Sequence, residues 1–293
     1  MLVATTQSGN SDSIPLSMAM LTRSPEYALG STDAEHERLI RQASRLAPLT
    51  ERAFLDAGIG PGQRVLELGS GMGDVAMLAA RLVGPAGDVV GIERDPRAIS
   101  RARNRASDAG LSRVTFVESD ISQFQSIERF DAAIGRFILQ FLPDPVAVLR
   151  SLSQLVRPGG VLVFQEVSYA PLLALSAHLP LWLTCISVIR DTVERLGAKP
   201  EMGVTLHRTF QDAGLPAPIM RMEILLGSTE DFTLWIYDVL CSLRPQMGKH
   251  STSIEALGDF ETLPARLQTE VAQSKTVVPY LAVVGAWSHK PAE

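Results

Sequence analysis

The chain has 293 residues, 46% of them apolar and 20% charged, with a mean hydropathy of +0.13. That apolar content can bury a full core and excludes a disordered polymer. Lys and Arg number 27 against 32 Asp and Glu, a net charge of −5. No basic excess exists to neutralise a nucleic-acid backbone, so nucleic acid is dropped as a partner.

Residues 1 to about 24 are polar and unpatterned, lack a positive n-region, and do not read as a signal peptide. Ser31, Thr32 and Asp33 offer helix N-caps. Leu39, Ile40, Ala43, Leu46 and Ala47 then recur at helical spacing up to Pro48, which is expected to end the helix. A second short helix is expected over Leu49–Ala57, followed by a GIGPG linker at 58–62. From there strands and helices alternate. The strands are RVLELG (64–69), DVVGIE (88–93), RVTFVE (113–118), FDAAIG (130–135) and VLVFQE (161–166). The helices are 74–83, Ile99–Ala109 and Val146–Leu155. This rhythm predicts right-handed βαβ units around a parallel sheet. After Glu166 it breaks. Residues 170–198 are apolar and helix-like, best over Leu181–Leu196, and a further helix is expected over Leu206–Ala213. A strand over 219–227, mostly helical sequence over 230–273 and a last strand over 276–287 complete the chain. The organisation expected is an N-terminal arm with lid helices (1–60), a ligand-binding core (61–168), and helical cap insertions plus the last two strands (169–293). Tyr169–Val188 is interrupted by Pro171, His178 and Pro180, too broken for a membrane span. Cys185 and Cys241 read as small buried hydrophobes, and no CxxC or Cys/His cluster suggests a metal. A soluble, cytoplasmic protein is expected.

The segment from Val65 to Asp74 is the most informative. A buried strand runs into Gly69, Gly71 and Gly73 and straight into a helix. Glycine permits the tight turn and lets a ligand approach the backbone. Glu67 stands at the carboxyl end of that strand, where open α/β sheets bind ligands. Glu93, twenty residues after Gly73, suits a carboxylate gripping ribose hydroxyls. Asp120 can accept from an adenine amino group, with the Ile121 backbone reading the ring. A dinucleotide loop wants a glycine at the sixth position, yet Asp74 stands there, and an acid at a helix start repels pyrophosphate. A phosphate-free adenosine compound bearing an ammonium group fits better, and S-adenosylmethionine is one.

ELGSGMGD, GIERD, ESDI, FDAAIGRF and VRPGGVLVFQE, in this order, resemble the class I S-adenosylmethionine-dependent methyltransferases, most closely the small-molecule branch of quinone-pathway, sterol and natural-product enzymes. The resemblance is specific over about residues 60–168. It implies a Rossmann-like, seven-stranded, mostly parallel sheet with the last strand antiparallel. It also places Glu67, Gly69, Gly71 and Gly73 on the cofactor's methionine part, Glu93 on the ribose, and Arg94, Asp120 and Ile121 on the adenine. Arg136 falls near the cofactor through its carbonyl. Tyr27 and Gln42 are candidates on a segment that closes over it.

For chemistry, Glu166 at the end of the fifth strand is the candidate base, with His207 a further candidate. Trp182, Met202 and Trp235 are the candidate walls of an apolar acceptor pocket. The stretch after the fourth strand, Gly135-Arg136-Phe137-Ile138, lacks the Pro-Pro-aromatic motif of amino-methylating enzymes, which leaves O- or C-methylation favoured. The alternatives are a nicotinamide- or flavin-dependent oxidoreductase, and a protein that binds the cofactor without transferring methyl, such as a cyclase. The cap helices pack either over the pocket or on a second subunit, so a homo-oligomer is a possible state.

Overall fold

The structure, a computed structural model, describes residues 33–247 and 254–292. Seven strands form one sheet in the order β3-β2-β1-β4-β5-β7-β6. They are β1 (Arg64–Leu68), β2 (Asp88–Glu93), β3 (Val114–Glu118), β4 (Phe130–Arg136), β5 (Val156–Val167), β6 (Ile219–Gly227) and β7 (Val278–His289). β1 to β5 are parallel, and β7 inserts antiparallel between β5 and β6. This is the Rossmann-like sheet expected, with β1 between β2 and β4. The chain therefore reverses direction across the sheet at β1 and β4, and a crevice opens beyond their carboxyl ends.

The helices are α1 (Asp33–Asp56), α2 (Asp74–Val83), α3 (Pro96–Asp108), α4 (Pro145–Leu155), α5 (Ala170–Leu175), α6 (Pro180–Arg195), α7 (Met202–Asp212), α8 (Glu230–Met247) and α9 (Leu263–Ser274). Asp95 caps α3 and Asp144 caps α4, each with its side chain on a first-turn amide and a proline at the next position. The expected bounds of α1 and β5 need correction. α1 is one helix running through Pro48, not two. A proline removes one amide donor, but Leu46, Leu49, Ala53 and Phe54 on both sides of it are buried on one face, and that packing holds the helix together. β5 starts at Val156, because Val156 pairs with Phe130 before a register shift at Ala132 absorbs the Arg-Pro-Gly-Gly segment.

The alternation along the buried strands divides the core. Val65, Val89, Ile134 and Val163 face α2, α3 and the end of α1. Leu66, Val90, Ala133 and Leu162 face α4 and α7. A third cluster joins α5, α6, α8 and α9 to Leu46 and Leu49 of α1 and to the first half of β7. Cys185 lies within it, whereas Cys241 is exposed, contrary to the expectation of two buried thiols. No helix is long and apolar enough to cross a membrane among the described residues.

Trp182 lies at the heart of this cap. It is fully buried and meets Trp235 edge-on at 6.2 Å. Trp182→Ala is expected to cost about 3–5 kcal/mol of stability, read as a shifted midpoint in denaturant unfolding.

Candidate cofactor-binding site

The turn between β1 and α2 is built from backbone conformations that side chains resist. Gly69, Gly71 and Gly73 have φ of +67°, +49° and +79°. The amides of Gly69 and Ser70 both donate to the Ile92 carbonyl on β2, at 2.9 and 3.0 Å. The Arg105 guanidinium donates to the Met72 carbonyl and pairs with Asp74 at 2.6 Å. Two of the glycines are closed in by packing. A Cβ on Gly69 would sit 2.7 Å from Ile138, and one on Gly73 would sit 2.8 Å from the Phe116 ring. A Cβ on Gly71 would meet nothing within 4 Å. The turn is thus clamped at both ends and presents its middle to the crevice.

Around it stand the strand-end acids. Glu93 accepts the Gly71 amide at 2.9 Å on one oxygen, and the Arg94 and Asp95 amides at 2.7 and 3.0 Å on the other. It therefore ties the glycine turn to the start of α3, and the oxygen that takes the Gly71 amide retains one acceptor site for a hydroxyl. Asp120 accepts from the Ser122 amide and hydroxyl and lies 3.7 Å from Arg94. The Ser122 hydrogen bonds first, and Arg94 with them, hold its carboxyl below the usual carboxylate range. Ile121 is buried beside Ile92 and Val90.

Glu67 is buried, and its Oε2 has no hydrogen-bond partner. Burial pushes this carboxyl up to about 8; Arg136 opposes the rise, and Asp74 and Glu93 add to it. Arg136, at the end of β4, donates to the Thr50 hydroxyl of α1 at 2.9 Å. Burial draws its guanidinium below the ordinary value, while Asp74 and Glu67 resist.

After Arg136 the chain turns sharply. Phe137 has φ of +56°, a strained value for an aromatic residue, and its amide donates to the Gln165 carbonyl at 2.8 Å. Glu166 holds the next three residues: its carboxylate accepts from the amides of Ile138 at 3.0 Å, Leu139 at 2.7 Å and Gln140 at 3.4 Å. It is wholly buried, and burial pushes it up to about 8 against those three donors.

The remaining sequence candidates are dispersed. His207 projects from the exposed side of α7, which begins at Met202 rather than Leu206 and turns Leu206 and Phe210 to the sheet. His207 therefore lies in the middle of α7 on its exposed side. Met202 is buried with Leu206 and Phe210. Trp235 donates to the Pro279 carbonyl at 3.3 Å and packs on Tyr280 at 5.0 Å. Gln42, on α1, accepts from Arg38 at 2.8 Å. Tyr27 lies outside the described residues. Two open surface hollows beside α9, of about 410 and 800 Å³, include none of these strand-end residues in their walls. Sequence reasoning misses Thr50, Phe137 and the Asp74–Arg105 clamp. Only the last carries a signal, an acid opening a helix with no phosphate to face.

Residues 59–214 match the family described as Methyltransferase domain. The chain belongs to that family, the class I S-adenosylmethionine-dependent methyltransferases. Methyltransferase str3 of Strobilurus tenacellus is 29% identical over 70% of this chain and 72% of its own length. The ubiquinone/menaquinone biosynthesis C-methyltransferase UbiE of Coxiella burnetii is 32% identical over 40% of this chain and 47% of its own. The chain thus spans less than half the length of several curated relatives it matches. In fold it is similar to a putative methyltransferase of Bacillus halodurans, with a TM-score of 0.55, 15% identity, and coverage of 83% of this chain and 98% of that one.

The family's cofactor is S-adenosylmethionine. The site of this methyltransferase domain fits it on two observations. The unpartnered Glu67 oxygen suits an ammonium group, and the open face of Gly71 leaves room against the backbone.

The two kinds of glycine are separable by stability alone. Gly73→Ala is expected to lose roughly 2–4 kcal/mol, from left-handed strain plus the Phe116 clash. Gly71→Ala should lose only about 1–2 kcal/mol, from strain. Urea unfolding of both variants checks this, and equal losses would contradict the packing described.

Proposed function

We propose that this protein transfers a methyl group from S-adenosylmethionine to an oxygen or carbon atom of an apolar small molecule. The observation that carries the reading is the Glu67 carboxyl, buried and with one oxygen unpartnered, at the end of the strand that leads into the open backbone of Gly71. In this reading Glu67 and the Gly69–Gly73 turn hold the methionine part. Glu93 holds the ribose hydroxyls. Arg94, Asp120 and Ile121 border the adenine, and the carbonyl of Arg136 faces the same ligand. Bound there, the cofactor supplies a methyl already made electrophilic by positive sulfur.

What the chain adds is alignment. Holding acceptor and donor in line can contribute on the order of 7–11 kcal/mol. The Arg136–Gln140 segment forms the floor where the two would meet, and Glu166 fixes it by gripping three successive amides. That placement favours Glu166 as a positioning residue over a free base, since its oxygens are already committed. Without a free base, the acceptor arrives ionised or loses its proton to water. Support for an apolar acceptor comes from the aromatic side chains next to this floor: Phe137, Phe141, Tyr169, Trp235 and Tyr280 all join the cap cluster. Trp182 is deeper in that cluster and supports the wall from behind.

The Glu67 assignment has a pH signature. Free protein keeps this carboxyl protonated up to about pH 8. An ammonium group seated beside it favours the charged form, so binding releases a proton below that value. Affinity for S-adenosylhomocysteine should therefore climb with pH towards about 8, by at most about tenfold per unit, and level off above. Glu67→Gln should flatten the climb. Titration calorimetry in buffers of different ionisation heat reads both the affinity and the proton. A flat wild-type profile would refute the assignment.

In the same assay Glu93→Ala is expected to weaken binding at least about tenfold, about 1.4 kcal/mol. Transfer of labelled methyl to extracted apolar metabolites tests the reaction itself. Tight cofactor binding without any transfer would favour a non-transferring protein.

A further inference from the structure

β6 closes the sheet on one side. Among the described residues it is bonded to β7 alone, so every second amide and carbonyl along its outer side has no strand partner among them. Natural edges are usually guarded by lysine, proline or charges. Here Ile219, Met222 and Leu226 are exposed at 62%, 42% and 54%. The strand's two charged residues are held sideways by α1: Arg221 pairs with Asp56, and Glu223 lies 3.5 Å from Arg52. Leu55, between those two α1 residues in sequence, is 55% exposed.

We propose that the occupant of this edge is a second copy of the chain, pairing β6 with β6 antiparallel about a two-fold axis at Met222. In a two-fold antiparallel ladder one residue faces itself, because a shift by one would set side chains of opposite faces against each other. An axis at Arg221 opposes two guanidiniums, and an axis at Glu223 opposes two carboxylates. Axes at Met220 or Ile224 set a charge against an apolar residue and shorten the overlap. With the axis at Met222, Arg221 of each copy faces Glu223 of the other and Met220 faces Ile224. Opposite charges in facing positions stabilise a sheet pair, and like charges destabilise it. The row Asp56, Arg221, Glu223, Arg52 then alternates in sign across the boundary. The register shift between Ile224 and Leu226 bounds the regular ladder at Ile224.

Light scattering on the full chain tests this. At tens of micromolar the wild type should show twice the 31.7 kDa chain mass. Met222→Lys and Met222→Glu should each raise the dissociation constant at least tenfold with an unchanged far-UV circular dichroism spectrum, because a like charge then faces itself. An equimolar mixture of the two should regain the dimer. In a Cys241→Ser background, Met222→Cys should cross-link on mild oxidation, since facing Cα atoms at about 4.5–5.5 Å suit a disulfide. A monomeric wild type, a dimer indifferent to both charged variants, a mixture that stays monomeric, or absence of the cross-link would each overturn the proposal.

Discussion

Three left-handed residues within five positions, leading at once into a helix, constrain everything built around them. Such a turn holds its shape only if its neighbours bind it. Ile92 of β2 takes two of its amides, Glu93 takes a third, and Arg105 of α3 takes the Met72 carbonyl. β2, α3 and the turn therefore form one hydrogen-bonded body. The Asp74–Arg105 pair completes it by neutralising the acid that opens α2. A helix start occupied by its own acid suits a ligand without phosphate, because the positive end of the helix is already satisfied. The same turn packs Gly69 on the Ile138 side chain beyond β4, so the glycine turn and the turn after β4 lie in direct contact.

The two buried acids illustrate how partners decide a role. Glu67 and Glu166 are both buried, and burial pushes both up to about 8. Glu166 has three amide donors and so acts as an internal cap for the turn after β4, including the strained Phe137. Glu67 has an oxygen with no donor, and the charge of Arg136 opposes the rise that burial causes. An unsatisfied buried polar atom costs free energy that a partner would recover. Equal burial thus separates into a carboxyl satisfied by backbone amides and one with an unpartnered oxygen, a distinction that only the third dimension supplies.

Legibility in the sequence tracks the range of the interactions. The parallel strands, the glycine turn and the acids ending β1, β2 and β3 are local patterns, and the structure places Glu67, Glu93 and Asp120 along the same edge of the sheet. α1 misleads because Pro48 is a strong local signal, while the burial of Leu46, Leu49 and Phe54 that overrides it depends on the distant sheet. The place of Glu166 at the end of β5 is legible, but its partners lie 26 to 28 residues earlier and leave no trace in spacing. Trp182 and Trp235 read only as aromatic area. That they pack edge-on inside the cap requires knowing that α6 and α8 are neighbours.

α1 links these regions physically. Its buried Glu35–Arg38 pair receives Ser242 of α8, and His36 meets Arg101 of α3 at 3.0 Å. Arg45 stacks over Phe232 and Tyr280 of the cap, Thr50 holds Arg136 at the crevice, and Arg52 and Asp56 hold the charges of β6. A buried ion pair costs desolvation and contributes little net stability, but breaking it by removing one partner is expensive. The pair at the start of α1 therefore fixes where the helix lies more than how tightly it is held. Because one rigid helix touches core, cap, crevice and sheet edge, its position sets the separation of Arg136 from the aromatic cap. That helix lies outside the sequence motifs altogether.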